Sequence, residues 1–243
     1  MAKLVQKSGY IKSGKASGYM RYIATREGVE KLAGNGAVTK GQRELIQKLL
    51  TDFPDAVELF EYEDYCKTPT LGTASAFISM ALDANFHEMD SESGYMQYIA
   101  TRPRVQKRGG HGLFSSATAV DLTSAMSELE AHEGNVWTII YSLRREDAAR
   151  LEYDNADAWR TLLMENAPTL AKSMKISLDN FHWYAAFHDE GHHPHIHMMV
   201  WSDDPKEGFL TKNGIAAMRS KLTNAIFRDE MQQIYERKDV AYS

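Results

Sequence analysis

The chain has 243 residues, of which 43% are hydrophobic and 25% are charged, and its formal net charge is −5 at pH 7. We expect one soluble, cytoplasmic unit, because no run approaches the roughly 18 apolar residues of a membrane span and the N-terminus has no apolar signal region. The acidic balance argues against a protein that neutralises long stretches of nucleic acid, although basic residues cluster in Lys3–Arg26 and in 102–108, where a local groove can be positive.

The first predicted element is a strand over residues 3–11, where β-branched and aromatic residues recur at about period two. A segment follows that occurs twice: SGYMRYIATREGVEK at 17–31 returns as SGYMQYIATRPRVQK at 93–107, with 11 of 15 positions identical. Two copies offset by 76 residues do not fit a solenoid, which has at least three copies at a short period. We interpret the repeat as a duplicated functional element.

Between the two copies, the sequence predicts a helical insertion at about 32–92. Apolar residues such as Leu45 and Leu49 recur there at helical spacing, and Pro54 is expected to break the helix. The chain's one cysteine, Cys66, lies in this segment and has no partner for a disulfide, so we expect an ordinary buried thiol. The interpretation is a single domain over residues 1–243 that carries this insertion.

The remaining sequence predicts alternating strands and helices. Strands are expected at 110–114, 136–144, 181–188 and 195–201, and helices at 122–132, 155–173 and 212–236, with Asp154 and Thr211 as N-caps. The last two strands are joined by the short segment DEGHHP, which predicts a hairpin and hence antiparallel neighbours. The predicted fold class is therefore α/β (α+β), with a sheet flanked by helices.

Five of the nine histidines lie in HDEGHHPHIH, between His188 and His197. Side chains alternate between the faces of a strand, so His195 and His197 point the same way. In the predicted hairpin, His188 comes from the neighbouring strand onto that same face. Neutral imidazoles bind Mn, Co, Ni, Zn and similar ions, and three protein ligands leave positions open for a substrate. This spacing predicts a catalytic metal site.

Further residues of the same segment have more than one possible role. His192 and His193 fall in the predicted loop, where we expect solvated side chains, and His192 is a weaker candidate for the third ligand. Asp189 or Glu190 is a candidate to orient a ligand through its second ring nitrogen. The four histidines outside this segment are interpreted as surface or packing residues.

Each copy of the repeat contains two tyrosines spaced i and i+3, which share one face if the segment is helical. The second tyrosine, Tyr22 or Tyr98, is followed four residues later by Arg26 or Arg102. A guanidinium group matches phosphate oxygens, and a phenol becomes an effective nucleophile when its target is polarised. The repeat is thus a candidate for a nucleophile with a phosphate-binding arginine, or alternatively for a helix that packs on the sheet.

A strand followed by YIATREG, with HPHIH on a strand far downstream, resembles the MobP-type (MobL-like) conjugative and mobilisation relaxases of the HUH endonuclease superfamily. The resemblance covers almost the whole chain. It implies an antiparallel sheet flanked by helices and an enzyme that nicks one DNA strand at a plasmid or mobile-element transfer origin. It further implies a 5′ phosphate held on tyrosine, later rejoining, one magnesium or manganese ion, a single-stranded DNA substrate and accessory relaxosome proteins.

The resemblance assigns roles to particular residues. It matches the H-x-H pair to His195 and His197 and the third histidine to His188. It favours Tyr22 as nucleophile because this residue follows the first strand, while the second copy makes Tyr98 a competitor. Relaxases of this kind commonly continue into longer C-terminal regions, so both a catalytic fragment and a compact member stay open.

Other functions also fit parts of the pattern. His193, His195 and His197 match a histidine-triad nucleotide hydrolase or transferase, in which His195 is the nucleophile and no metal is needed. A non-enzymatic module that binds DNA or stores metal would use the repeat as a paired arm. A replication initiator or transposase with HUH chemistry differs in biological role, which fold and site alone do not fix.

Overall fold

The structure is a computed structural model that describes residues 3–10, 35–85, 92–101, 105–107, 109–189 and 193–228. Among these residues five strands form one sheet: β1 (Val5–Tyr10), β2 (Leu113–Phe114), β3 (Trp137–Ser142), β4 (Phe181–His188) and β5 (His195–Ser202). Their order is β1-β3-β5-β4-β2, and every neighbouring pair is antiparallel. All five predicted strands are confirmed.

Helices occupy much of the rest of the described chain. They are α1 (Lys40–Asp52), α2 (Phe60–Lys67), α3 (Leu71–Ala84), α4 (Glu92–Thr101), α5 (Leu122–Glu130), α6 (Arg145–Arg150), α7 (Ala156–Ser173) and α8 (Lys212–Ile226). None of these described helices is long and apolar enough to cross a membrane. The mixed α+β class is confirmed, and the antiparallel sheet with its flanking helices is consistent with the HUH-type fold.

The segment between the two repeat copies is helical where the structure describes it. The side chain of Thr39 accepts a hydrogen bond from the backbone of Gln42 and the backbone of Thr39 donates the reciprocal bond, so a capping box starts α1. The predicted break is confirmed, because α1 ends at Asp52 and a 3-10 helix begins at Pro54. The limits of the domain and of its insertion stay a prediction.

Of the two predicted N-caps in the last two helices, one is confirmed. Thr211 caps α8, because its hydroxyl accepts from the backbone N–H of Gly214 at 3.1 Å. The prediction of Asp154 for α7 is wrong by one residue. Asn155 has the extended backbone of a cap, and its Oδ1 accepts from the N–H of Ala158 at 2.9 Å.

Hydrophobic side chains pack on both faces of the sheet. On one face, Ile196 and Val200 of β5 lie in a core formed with α7 and α8. On the other face, Met199 and Trp201 lie in a core formed with α1, α3, α4 and α5. All eight residues of β5 are therefore buried, and this central strand has helices on either side.

Cys66 does not behave as expected. The residue is exposed, so the prediction of a buried thiol is wrong. Helix α2 buries Phe60 and Glu61 at its start, and Cys66 falls six residues after Phe60 on a different side of the helix. Its exposure depends on how α2 is rotated about its own axis, which composition does not reveal.

Candidate metal centre

The hairpin of β4 and β5 brings three histidines together. His188 pairs directly with His195, and His197 pairs with Ala186, so the three histidine side chains share one face of the sheet. The ring centroids lie 4.6 Å apart for His188 and His197, 5.0 Å for His195 and His197, and 5.2 Å for His188 and His195. All three residues have 0% exposure, and one ligand nitrogen from each lies within 4.8 Å of the others.

In His188 and in His195, a contact with a backbone carbonyl group determines which ring nitrogen carries the proton. Nε2 of His188 lies 2.8 Å from the carbonyl oxygen of Ile99, and Nδ1 of His195 lies 3.0 Å from that of His193. A carbonyl only accepts hydrogen bonds, so each of these nitrogens is the donor. In the neutral ring the lone pair then lies on the opposite nitrogen, Nδ1 of His188 or Nε2 of His195. Metal-binding histidines commonly have this arrangement.

The three imidazoles suit a divalent transition-metal ion. They are close enough for their nitrogens to share one ion, they are buried, and two of them are held by carbonyl groups. Neutral imidazole is a better ligand for Mn, Co or Zn than for Mg, which prefers oxygen. The cluster is thus a candidate site for one metal ion.

The second copy of the repeat lies against this cluster. Its helix α4 supplies the Ile99 carbonyl that accepts from His188, and Val105 forms an isolated bridge with His188. Tyr98 precedes Ile99, so this candidate nucleophile is adjacent in the chain to the residue whose carbonyl contacts His188. The other sequence candidates, Tyr22 and the two arginines Arg26 and Arg102, lie outside the described residues, as does the Tyr98 side chain.

His193 has a different environment from the one predicted. The sequence predicts a solvated loop residue, but His193 is 4% exposed, because α2 covers it. Its Nε2 lies 2.7 Å from Oδ2 of Asp64, and its ring stacks on Phe60 with centroids 5.1 Å apart. A side chain of the helical segment thus holds the residue whose carbonyl accepts from His195.

The carboxylates proposed to orient a ligand do not take this role where they are described. Asp189 forms an ion pair with Arg145 at 2.6 Å, while Glu190 and the weaker ligand candidate His192 lie outside the described residues. Sequence reasoning missed Asp64 and the Ile99 carbonyl, which contact histidines 129 and 89 residues away. No local pattern signals contacts over such separations.

Ion pairs join α2 to the end of the sheet that carries the histidines. Nη1 of Arg144, just beyond β3, lies 3.3 Å from Oδ1 of Asp64. A hydrogen bond from Lys67, together with the charges of Lys3 and Arg144, lowers the pKa of Glu63 to about 2. These pairs are partly exposed, so each contributes only about 0–1 kcal/mol to stability.

Comparison with known proteins defines first the class and then the family. The chain matches a model of relaxases, which are enzymes that nick DNA, over residues 1–242. Comparisons with curated proteins and with solved structures give no match. The matching model is that of the MobL relaxases, and because it covers nearly all 243 residues, the chain belongs to the MobL relaxase family.

Proposed function

We propose that the chain nicks and rejoins one DNA strand at a plasmid or mobile-element transfer origin, through a covalent 5′-phosphotyrosine intermediate. His188, His195 and His197 hold one divalent metal ion for this reaction. The observation that carries the proposal is the burial of three imidazoles whose ligand nitrogens lie within 4.8 Å of one another. Membership of the MobL relaxase family supplies the reaction class.

The histidines prepare the site before any substrate binds. The Ile99 and His193 carbonyls accept from His188 and His195, so the protonated nitrogens point away from the shared centre. An ion held by His188, His195 and His197 would supply Lewis-acid polarisation of the scissile phosphate and would offset the negative charge that develops in the transition state. The all-imidazole donor set favours manganese over magnesium as that ion.

The nucleophile in this proposal is Tyr22 or Tyr98. Its phenolic oxygen forms a bond to phosphorus while the bond from phosphorus to the 3′ oxygen breaks, and the phenolic proton ends on that leaving oxygen. A free phenol has a pKa near 10, so it needs a polarised target at neutral pH. Arg26 and Arg102 are proposed to bind phosphate oxygens. Tyr22 follows β1, whereas Tyr98 has the backbone link to the cluster through Ile99.

The covalent intermediate gives a direct test. Purified protein with MnCl2 is incubated with single-stranded oligonucleotides that tile the DNA flanking its gene, and protein–DNA adducts are resolved on denaturing gels. We expect an adduct that is lost in the nucleophile's Tyr→Phe variant, Tyr22→Phe or Tyr98→Phe. If both single variants and the double variant retain full adduct, the tyrosine assignment is wrong.

Metal removal separates this proposal from a histidine-triad mechanism. In that mechanism, His193 and His195 work with His197 without an ion, but the structure pairs Nε2 of His193 with Asp64 and places His188 beside the other two rings. We expect prolonged chelation to abolish adduct formation and added MnCl2 to restore it. Full activity after verified metal removal would contradict the metal-dependent mechanism.

A binding module and a replication or transposition enzyme would differ from a relaxase in product or in genetic context. A non-enzymatic DNA-binding or metal-storage module would show affinity for DNA but form no adduct and cleave no strand. A replication initiator or transposase would form the same adduct, because it shares the chemistry. Cleavage at an origin that supports plasmid transfer in a mating assay distinguishes the relaxase from these enzymes.

A further inference from the structure

A continuous set of contacts leads from the helical segment between the repeat copies to a candidate metal ligand. Oδ2 of Asp64, on α2, lies 2.7 Å from Nε2 of His193. The carbonyl oxygen of His193 lies 3.0 Å from Nδ1 of His195. Asp64 therefore reaches His195 through one intervening residue, although it lies 131 positions earlier in the chain (195 − 64).

Both partners of the first contact make further contacts with Phe60 or Arg144. His193 lies on the ring of Phe60 at 5.1 Å with an interplanar angle of 25°. Arg144 lies 4.7 Å over the same ring and contacts Oδ1 of Asp64, which leaves Oδ2 directed at His193. The His193 side chain is only 5% exposed, and a charged acceptor makes a stronger hydrogen bond where water is scarce.

The His193 carbonyl belongs to the connection between β4 and β5, and the side chain of the same residue contacts Asp64 and Phe60. The next residue is also fixed, because the carbonyl of Pro194 accepts from the backbone N–H of Leu143 at 3.2 Å. With both anchors in place, Nδ1 of His195 keeps one acceptor, so in the neutral ring Nε2 carries the lone pair that an ion would need. A free loop carbonyl would leave the tautomer and the angle of this ring less defined.

We propose that Asp64 is a positioning residue of the metal centre, which acts through His193 to fix the orientation and tautomer of His195. The helical insertion is then part of the metal centre. This inference rests on the proposed function, since it requires that the histidine cluster binds a metal ion.

Metal affinity of the full chain tests this role. Isothermal titration with MnCl2 is carried out on the wild type and on Asp64→Ala, and folding is checked by the melting temperature. Outer partners of metal ligands commonly change affinity by about 10–100-fold, so we expect the Mn²⁺ dissociation constant to rise by about tenfold. Asp64→Asn keeps an acceptor for His193 and should give an intermediate value.

Glu63→Gln is the matched control, because Glu63 lies on the same helix and pairs with Lys67 and Arg144 but not with His193. We expect its Mn²⁺ affinity to stay within about twofold of the wild type. The visible absorption of the Co²⁺-loaded protein provides a second measurement, because its intensity depends on ligand geometry. It should change in Asp64→Ala and remain unchanged in Glu63→Gln.

A second variant keeps the test decisive if Asp64→Ala does not fold. His193→Leu keeps the backbone carbonyl but removes the hydrogen-bond donor that Asp64 holds, and it should weaken Mn²⁺ binding to a similar degree. Wild-type affinity and an unchanged Co²⁺ spectrum in whichever of these variants folds would overturn the inference and leave the proposed function intact. If the wild type itself binds neither Mn²⁺ nor Co²⁺, the metal-dependent mechanism is overturned as well.

Discussion

His188 and His195 each donate a hydrogen bond to a backbone carbonyl from a different part of the chain. Ile99 belongs to α4, while His193 belongs to the hairpin loop. A ring that is held in its binding orientation before the ion arrives loses less conformational freedom on binding. The two carbonyls would therefore favour binding of an ion by the histidine cluster, because they hold two of its rings in place.

Removal of one candidate ligand tests whether the ion binds the histidine cluster and not another histidine. In His197→Ala only two imidazoles remain, and we expect the Mn²⁺ dissociation constant measured by titration calorimetry to rise by more than about 100-fold. His182→Asn is the control, because His182 lies at the opposite end of β4 and contacts Asp203. Equal loss of affinity in both variants would show that the ion binds elsewhere.

Glu207 provides a prediction about pH. Hydrogen bonds from Ser177, then Ser202 and Asn180, lower its pKa from 4.5 to about 2. The folded state thus favours the ionised form, so this stabilisation is complete above pH 4.5 and is lost as the pH falls towards 2. We expect Glu207→Gln to lower the melting temperature at pH 7 and to have a smaller effect near pH 3. An effect that is equal at the two values would contradict this assignment.

The same residues show what sequence can and cannot reveal at this scale. The alternation of side chains along each strand, together with the predicted hairpin, is sufficient to place His188, His195 and His197 on one face of the sheet, because strand geometry is regular. The predicted environment of His193 is wrong, since it depends on Asp64 and on how a distant helix covers the loop. Contacts of this kind follow from tertiary packing and have no local signature.

At the scale of elements, helices α7 and α8 approach each other closely at one glycine. A Cβ atom built on Gly214 would lie 2.4 Å from the backbone carbonyl oxygen of Ser173, at the end of α7. Backbone cannot move aside as the end of a flexible side chain can. Position 214, in the first turn of α8, therefore requires a residue without a Cβ atom.

Alanine substitutions at two glycines test this contact. We expect Gly214→Ala to destabilise the protein by about 1–3 kcal/mol, because the helices must separate. Gly41→Ala is the matched control, since outside its chain neighbours and the backbone of α1 no atom lies within 4 Å of its Cβ position, and alanine should stabilise the helix by up to about 0.5–1 kcal/mol. Urea unfolding measures both values, and equal destabilisation would contradict the packing argument.

Elements with strong periodicity are predictable from the sequence, whereas their exact ends and rotations are not. The strands predicted at 181–188 and 195–201 match the structure to within one residue because apolar and aromatic residues mark them clearly. Asp154 and Asn155 are equally good caps by type, so only the backbone decides between them. The exposure of Cys66 likewise depends on the rotation of α2 against its neighbours.

At the scale of the whole molecule, metal binding and folding are expected to be linked. An ion that binds only the folded chain stabilises it by about 2.7 kcal/mol at 100 times its dissociation constant. We therefore expect saturating MnCl2 to raise the melting temperature of the wild type but not of His197→Ala. CaCl2 is the control salt, because Ca²⁺ prefers oxygen ligands and should have no effect. A similar rise with both salts would indicate a nonspecific effect.

The complete burial of the three histidines also has a kinetic consequence. Each histidine has 0% exposure, so release of a bound ion to solvent would be faster after the surrounding structure opens locally. Its residence time would then depend on the rate of that opening as well as on affinity. An ion acquired during synthesis would persist through purification, and a short exposure to a chelator would remove only part of it.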